Sequence, residues 1–263
     1  MHFYKYHGAG NDFIMVDCRE MDTSLFGIDL VKILCDRHYG IGADGLILLE
    51  KSKSSDFRMI YFNSDGKEGT MCGNGGRCIL AFAERLGIIG KRSKFDGIDG
   101  MHEGIIAGDG IYKVKMIDVP SVSHLEDGDF IDTGSPHLVL YRENIDALDI
   151  FREGREIRYQ ERWGNKGTNV NFVELKGKNR FKIRTYERGV ENETLACGTG
   201  SVAAAISAYL NQDTDKTSYL IQAPGGELRV DFSTDKQSGF HDIWLSGPAE
   251  YVFEGDIDLD DFR

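Results

Sequence analysis

Two cysteine motifs of matching pattern stand nearly half the chain apart. Cys72 lies in the segment MCGNG at 71–75, and Cys197 lies in the segment ACGTG at 196–200. Small and apolar residues of helical character follow each Cys-Gly-x-Gly turn, so we expect each cysteine at the N-terminus of a helix. The unpaired N–H groups and the positive dipole end of such a helix stabilise a thiolate. They can lower the pKa of a thiol from about 8.5 to roughly 3.5–7.5.

The glycines of both motifs leave the backbone N–H groups of the turn uncovered by side chains. Such groups can hold a carboxylate or an oxyanion close to the sulfur atom. A buried, inert cysteine has no need of glycines at these positions. The two motifs therefore predict two reactive thiols, each beside its own anion-binding helix end.

Two thiols of this kind suit the removal of a proton from one face of a carbon atom and its return on the other face. That reaction is racemisation or epimerisation next to a carboxylate, whose developing charge the two sets of N–H groups would stabilise. It needs one thiolate and one thiol, so the pair is expected to titrate as a coupled unit. Neither motif contains C-x-x-C, and the spacing of Cys72 and Cys78 fits no zinc signature, so no metal is expected.

The composition is that of an ordinary globular protein. Of the 263 residues, 41% are hydrophobic and 28% are charged, and no run approaches the roughly 18 apolar residues that a membrane helix needs. The net charge of −12 argues against a nucleic-acid partner, since nucleic-acid binders usually carry a basic face. We therefore expect a small-molecule substrate and neither a membrane nor a nucleic-acid partner.

Cysteine usage bears on the cellular compartment. The five cysteines are an odd number, and the first residues show no basic stretch leading into an apolar run, as a secretory signal would. A disulfide framework is therefore not expected, and the thiols are predicted to be reduced. These features predict a cytoplasmic protein in which Cys18, Cys35 and Cys78 are small buried hydrophobic residues.

Short strands alternate with a few helices around the two motifs. In the first half, periodicity predicts strands at 3–7, 13–17, 46–50 and 57–62 and an amphipathic helix at 28–39. In the second half it predicts a charged helix at about 145–160 and strands at 169–175 and 181–186. The glycines at 40–45 match the dinucleotide-binding G-x-G-x-x-G pattern. A helix precedes them and a strand follows, which is the reverse of what that fingerprint requires.

Further motifs accompany the cysteine turns in a set order. They are HGAGNDF at 7–13, FNSDG at 62–66, Pro136-His137, Asn169 and ERG at 187–189. Taken with the cysteine turns, this set resembles the diaminopimelate epimerase family over nearly the whole chain. The resemblance implies an α+β fold of two pseudo-symmetric domains, each a mixed or antiparallel sheet wrapped around a central helix. It places the active site in the cleft between the domains.

The same resemblance implies a reaction that needs no cofactor. The family converts LL-2,6-diaminopimelate into the meso form, for the synthesis of lysine and of peptidoglycan precursors. The resemblance also implies a homodimer and the return of the last strand to the first half. The expected domains are therefore residues 1–118 with 250–263, carrying Cys72, and residues 119–249, carrying Cys197.

Site residues follow from the resemblance position by position. Cys72 and Cys197 are the expected acid/base pair, and His137 and Glu187 are expected to tune or orient the two sulfur atoms. Amides offer donors and acceptors to a zwitterion, and an arginine can fork a carboxylate. The expected cradle for the reacting carboxylate is formed by Gly73, Asn74, Gly198 and Thr199. The expected contacts to the distal, non-reacting end of the substrate are Asn11, Asn63, Asn169 and Arg188.

Simpler roles remain open at some of these positions. His137 on its own could be a structural histidine, and Asn11 and Asn63 could be turn residues. Two further positions depart from the family pattern. Ser135 stands where many members have asparagine, and Gly45 stands where some members carry a longer polar side chain. Both departures predict altered contacts to the distal end of the substrate.

Two other functions remain open. Proline racemases and hydroxyproline epimerases use a similar pair of cysteines, but they typically have histidine in place of Asn74 and a smaller substrate. The predicted set of distal contacts favours the longer substrate. From another class, a thiol redox-sensing protein could join Cys72 and Cys197 in a reversible disulfide.

Overall fold

The structure is a computed structural model, and it describes residues 1–212, 215–235 and 237–262. Strands outnumber helices in these residues, which confirms the predicted α+β class. The chain divides into two compact units. The first unit comprises Met1–Val114 and Gly247–Arg263, and the second unit comprises Lys115–Ser246.

The strands and α-helices are numbered in chain order. They are β1 (His2–Gly8), β2 (Asn11–Asp17), α1 (Ile28–Cys35), β3 (Gly45–Glu50), β4 (Phe57–Asn63), α2 (Gly73–Arg85), β5 (Arg92–Gly97), β6 (Gly100–Gly108), β7 (Ile111–Lys115), β8 (Ser123–His124), β9 (Asp129–Asp132), β10 (Pro136–Tyr141), α3 (Ile150–Arg158), β11 (Asn169–Leu175), β12 (Arg180–Glu187), β13 (Asn192–Thr194), α4 (Gly198–Asn211), β14 (Ser218–Ala223), β15 (Gly226–Asp235), β16 (Gly239–Pro248) and β17 (Glu250–Asp256). Short 3-10 helices lie at Thr23–Leu25, Ile145–Ala147, Glu161–Trp163 and Leu259–Phe262.

The sheet of the first unit runs in the order β17, β1, β2, β3, β4, β5, β6, β7. Strands β2 and β3 are parallel, as are β4 and β5, and the other neighbours are antiparallel. The outermost strand, β17, pairs with β1 although it comes from the far end of the chain. The rings of Phe3 and Phe253 meet edge to face across this pair, with centroids 6.0 Å apart.

The second unit repeats this pairing pattern. Its strands run in the order β8, β9, β10, β11, β12, β14, β15, β16, with β10 and β11 parallel and β12 and β14 parallel. The short strand β13 pairs with the end of β12. In each unit the two parallel pairs are joined by crossover connections that contain α1 and α2, or α3 and α4. The two halves are therefore built on one topology, as the sequence predicts.

A buried helix lies against each sheet. In α2 every residue from 73 to 83 is buried, and in α4 residues 200–208 are buried. A helix that is apolar all round needs cover on every side, and α4 contacts β9, β10, β11, β12, β14 and β15. Within the described residues, no helix is long and apolar enough to cross a membrane.

Helix α1 is shorter than its apolar pattern predicts, because it ends at Cys35 and not near residue 39. Asp36 has an extended backbone, with ψ of 129°. Its carboxylate accepts hydrogen bonds from the N–H groups of His38 and Tyr39, at 2.7 and 2.8 Å. An aspartate that bonds to the backbone ahead of it favours a turn over another helical turn.

The charged segment at 145–160 is also divided. Asn144 has a left-handed backbone with φ of 51°, and the 3-10 helix Ile145–Ala147 follows it. The helix α3 begins only after Asp149, whose carboxylate accepts the N–H group of Arg152 at 3.0 Å. Asp149 is therefore a side-chain N-cap, which a polar helix needs for its unpaired N–H groups.

Candidate active site

Cys72 is the N-cap residue of α2, which confirms its predicted place at a helix N-terminus. The N–H group of Gly75 donates to its sulfur atom, with an N···S distance of 3.1 Å. A hydrogen bond to sulfur stabilises a thiolate more than a thiol. The side chain is half-buried.

Asn74 is locked by its neighbours in the first turn of α2. Its Nδ2 donates to Oδ1 of Asn11 at 3.2 Å, and its Oδ1 accepts from Nη2 of Arg77 at 2.8 Å. Asn11 in turn donates to Oδ2 of Asp44 at 2.7 Å. Three polar residues predicted from the sequence, Asn11, Cys72 and Asn74, thus lie around the start of one helix.

Arg77 is a buried charge beside this turn that the sequence motifs did not predict. Its side chain has no exposed surface, and it also donates to the carbonyl oxygen of Gly73 at 3.0 Å. Burial lowers the pKa of Arg77, but arginine keeps its charge in proteins. The guanidinium charge acts on the thiol of Cys78, but burial outweighs it and holds the pKa of Cys78 well above its usual range. The signal in the sequence was a charge placed between the glycines of the turn and the apolar run 78–83.

Asp12, the residue after Asn11, is paired with two cations. Asp12 forms ion pairs with Lys5 at 2.8 Å and with Arg37 at 2.7 Å. Burial alone would raise the pKa of Asp12, but the hydrogen bonds from Arg37 and Lys5 hold it well below its usual range. Asp12 therefore stays ionised and anchors the start of β2.

Gly45 faces Tyr61 across the pair of strands β3 and β4. A Cβ atom at position 45 would lie 2.7 Å from Cε2 of Tyr61 and 2.6 Å from the carbonyl oxygen of Phe62. The hydroxyl of Tyr61 donates to Oδ1 of Asn63 at 2.8 Å. The tyrosine ring thus occupies the space that a longer side chain at position 45 would need, and it orients Asn63.

Cys197 is the N-cap residue of α4, again as predicted. Its side chain is almost fully buried, and the hydroxyl oxygen of Thr199 lies 3.5 Å from its sulfur atom. Gly200 cannot be replaced without a clash, because a Cβ atom there would lie 2.4 Å from Oδ1 of Asn171. Gly200 is therefore required by packing as well as by the chemistry predicted for this turn.

His137 is completely buried and reaches Cys197 through Thr199. Its Nε2 lies 2.9 Å from the hydroxyl oxygen of Thr199, and its Nδ1 lies 3.2 Å from Nδ2 of Asn171. Burial, reinforced by the positive charge of Arg188, lowers the pKa of His137 to about 3. The imidazole is therefore neutral at physiological pH.

This neutral histidine predicts a loss of stability in acid. The pKa of His137 is about 3 in the folded protein and 6.5 ordinarily, so between these values only the unfolded chain takes up the proton. Stability due to this group is present above pH 6.5 and is lost as pH falls. Urea denaturation at pH 7.5 and 5 should show a loss about 2 kcal/mol smaller in His137→Gln than in wild type.

Other groups also titrate over this range, so the difference between variants carries the test. The exposed His38 offers the matched control, His38→Gln, which should follow the wild type. Equal losses in wild type and His137→Gln would show that the buried imidazole takes up a proton in the folded state.

Asn169, Arg188 and Ser135 form a second polar group in this unit. Asn169 donates to the hydroxyl oxygen of Ser135 and to the carbonyl oxygen of Pro136, both at 2.9 Å, and it accepts the N–H group of Arg188 at 2.8 Å. The guanidinium of Arg188 also reaches Ser135, at 3.3 Å. Ser135, which departs from the family pattern, is therefore part of this group. Its hydroxyl oxygen accepts hydrogen bonds from both Asn169 and Arg188.

Glu187 ends β12, and its carboxylate accepts a hydrogen bond from Thr194 at 2.9 Å. Asn63 ends β4, which has the same place in the first sheet. Likewise Gly45 begins β3, and Asn169 begins β11. The predicted polar residues therefore lie at corresponding strand ends of the two sheets. Among the described parts of the chain, no three His, Cys, Asp or Glu side chains are arranged to hold a metal ion.

Comparison with known proteins gives one consistent family. The model of the diaminopimelate epimerase family matches residues 3–104 and 130–252. The diaminopimelate epimerase of Flavobacterium psychrophilum is 48% identical over 98% of this chain and 100% of its own length. Those of Chlorobaculum tepidum and Aquifex aeolicus are 43% and 40% identical, over 96% and 97% of this chain and 99% and 97% of their own lengths.

Solved structures of low identity share the fold. A PhzF-family phenazine biosynthesis protein of Bacillus anthracis has a TM-score of 0.78 at 16% identity, with 98% of each chain covered. A probable proline racemase of Agrobacterium radiobacter has a TM-score of 0.70 at 12% identity, covering 99% of this chain and 94% of its own. A hydroxyproline epimerase of Agrobacterium vitis has a TM-score of 0.69 at 12% identity, covering 97% and 91%. These similarities confirm the predicted architecture.

Proposed function

The chain belongs to the diaminopimelate epimerase family, and we propose that Cys72 and Cys197 are the acid/base pair with which it works. The enzyme interconverts LL-2,6-diaminopimelate and meso-diaminopimelate. One observation carries the assignment of the pair. Each cysteine is the N-cap of a buried helix, and the two helices have the same place in two sheets of the same topology.

The proposed reaction is a transfer of protons between sulfur and carbon. One cysteine, as thiolate, takes the proton from the α-carbon and becomes a thiol. The electron pair left behind spreads onto the carboxylate as an enediolate. The other cysteine, as thiol, gives its proton to the opposite face of the same carbon and becomes a thiolate. Inversion of configuration therefore requires the two sulfur atoms on opposite faces of the α-carbon.

Backbone N–H groups at the two helix starts would stabilise the enediolate. We assign this role to the turns that contain Gly73 and Asn74, and Gly198 and Thr199. Donors fixed in place before the reaction need no reorganisation as charge develops, which is why such groups contribute strongly to catalysis. Gly75 already donates to the sulfur of Cys72, so this turn favours negative charge.

The distal amino acid end of the substrate is assigned to four polar residues. Asn169 and Arg188 are held together by the hydrogen bond from the N–H group of Arg188, and both contact Ser135. Asn63 is oriented by Tyr61, and Asn11 by Asp44. A guanidinium and three amides suit a carboxylate and an ammonium group. Proline lacks a second amino acid end, so these residues favour diaminopimelate over a proline-type substrate.

The roles of His137 and Glu187 differ in this proposal. His137 acts on Cys197 through Thr199, since its Nε2 is within hydrogen-bond distance of that hydroxyl. Glu187 is assigned to the orientation of the acid/base pair, held by its bond from Thr194. Neither role needs a cofactor.

Compartment and assembly complete the proposal. A thiolate and a thiol work together only while both stay reduced, and the cytoplasm keeps thiols reduced, so we assign the enzyme to the cytoplasm. We assign it a homodimeric state as well. Tyr251, Val252 and Phe253 on the outer strand β17 are 40–49% exposed, and a second copy would cover such apolar surface.

Incubation with LL-diaminopimelate in deuterated water tests the function directly. With no pyridoxal phosphate or metal added, meso product should form and carry deuterium at the inverted α-carbon, as followed by NMR. L-Proline is the matched substrate under the same conditions, and it should neither exchange nor invert. Exchange with proline but not with diaminopimelate would contradict the proposed substrate and would indicate a proline racemase. Activity that survives quantitative Cys72–Cys197 crosslinking would contradict the acid/base pair.

A further inference from the structure

Asn171 lies at the centre of a buried chain of hydrogen bonds that ends at Cys197. Its side chain has no exposed surface, and neither does that of His137. The amide contacts three partners: the carbonyl oxygen of Leu138 at 3.0 Å, Nδ1 of His137 at 3.2 Å and the hydroxyl of Thr185 at 3.0 Å. Both N–H groups of the amide and one lone pair of its oxygen are thus used.

These partners determine which way the amide of Asn171 faces. The carbonyl oxygen of Leu138 can only accept, so the NH₂ group must point toward it. The amide oxygen then faces the hydroxyl of Thr185, which donates to it. The second N–H of the same NH₂ group points at Nδ1 of His137. A flipped amide would bring two oxygen atoms together.

The orientation of Asn171 decides the tautomer of His137. An Nδ1 atom that accepts an N–H group carries no proton, so the proton of the neutral imidazole is on Nε2. The Nε2–H group then donates to the hydroxyl oxygen of Thr199, 2.9 Å away. Because that oxygen accepts a hydrogen bond from His137, the hydroxyl proton of Thr199 points away from the imidazole ring. The sulfur of Cys197 lies 3.5 Å from it.

We propose that Asn171 is a positioning residue of the epimerisation reaction, because it holds His137 in the Nε2–H tautomer and so makes Thr199 a donor to the sulfur of Cys197. The inference rests on the proposed function, in which Cys197 is one of the two acid/base residues. The hydroxyl of Thr199 stabilises the thiolate of Cys197 when that residue has given up its proton. Arg188 is the charged group whose field reaches His137, and it opposes protonation of the ring.

The tautomer of His137 can be observed without any variant. With ¹⁵N-labelled histidine, two-bond ¹H–¹⁵N correlation distinguishes a protonated ring nitrogen from a bare one. His137 should show a bare Nδ1 and a protonated Nε2 from pH 6 to 8. A proton on Nδ1, or on both nitrogens, would overturn the proposal. The His137→Gln variant assigns the signal.

The effect on sulfur is measured by iodoacetamide alkylation of Cys197, in a Cys72→Ala background and read by peptide mass spectrometry. Asn171→Leu keeps the size of the side chain but frees Nδ1 of His137 for a proton. Both tautomers should then be populated, Thr199 should donate to Nε2 in the Nδ1–H form, and alkylation of Cys197 at pH 7 should slow about twofold. Unchanged alkylation together with a moved proton would overturn the role of Asn171.

Two further variants separate positioning from simple loss of stability. Thr199→Val removes the last donor of the chain, so adding Asn171→Leu to it should slow alkylation no further. Ser207→Ala breaks another buried contact of α4, the bond from Ser207 to Asp129, and it should leave the His137 signals and the alkylation rate unchanged. If Asn171→Leu does not fold, the proposal is tested by the tautomer of His137 in the wild type and by the alkylation rate of Cys197 in Thr199→Val.

Neither readout uses a substrate, so the inference and the proposed function can fail separately. An Nε2–H tautomer with no turnover of diaminopimelate would contradict the function alone. Full turnover with a proton on Nδ1 would contradict the inference alone. In the active enzyme, Asn171→Leu should lower kcat by about twofold, with a smaller change in KM.

Discussion

Replacing either Cys72 or Cys197 with alanine is expected to slow epimerisation by at least about 1,000-fold, because each substitution removes one of the two proton carriers. The decrease should appear in kcat for both directions of the reaction, since each cysteine is an acid in one direction and a base in the other. NMR in deuterated water measures meso product and deuterium incorporation together. Circular dichroism and urea denaturation show whether the variant is folded.

A third cysteine provides the control for these variants. Cys18 is buried in the first unit, and burial raises the pKa of its thiol to about 12, so it carries no thiolate at neutral pH. Cys18→Ala removes a sulfur atom of the same size and should lose some stability but little turnover. Near-normal turnover in Cys72→Ala or Cys197→Ala would rule out the two-base mechanism.

Arg188→Gln is expected to raise KM for diaminopimelate by about 100-fold, with a smaller change in kcat. Loss of one member of a hydrogen-bonded charge pair costs about 2–5 kcal/mol, and about 2.7 kcal/mol corresponds to this factor. The distal end takes no part in the proton transfer, so its loss weakens ground state and transition state alike. Arg188→Lys keeps the charge without the planar fork and should raise KM by about tenfold.

Arg180 offers a matched control at the start of β12, the strand that leads to Arg188. It is exposed and pairs with the exposed Glu227 at 3.4 Å, so Arg180→Gln makes the same change in net charge away from the predicted site. Steady-state kinetics of this variant should match the wild type. A KM that is unchanged in Arg188→Gln would remove Arg188 from the distal binding group.

Local sequence patterns were sufficient for the two helix starts. A cysteine followed by glycines and then by a small, apolar stretch specifies both the turn and the buried helix, so Cys72 and Cys197 could be placed without knowledge of other parts of the chain. The end of α1 could not be placed in this way. There the side chain of Asp36 competes with an apolar pattern that continues for several residues.

Residues whose partners come from distant strands were missed. Arg77 bonds to its own helix but also faces the carbonyl oxygen of Pro248, 171 positions away, at 3.4 Å. Asn171 meets its partners only because β11 lies between β10 and β12. Its spacing of two from Asn169 puts both on one face of a strand, which was a usable signal. Which partners that face would meet depends on strand order, which no local pattern contains.

The pairing of β1 with β17 has a consequence for the order of folding during synthesis. Residues 115–246 leave the ribosome before β17, so the second unit can complete its sheet while β1 still has an unpaired edge. An unpaired edge is a template for other chains. The nascent protein is therefore exposed to mispairing until its last strand emerges, and chaperone capture in that interval would protect the first strand to be made.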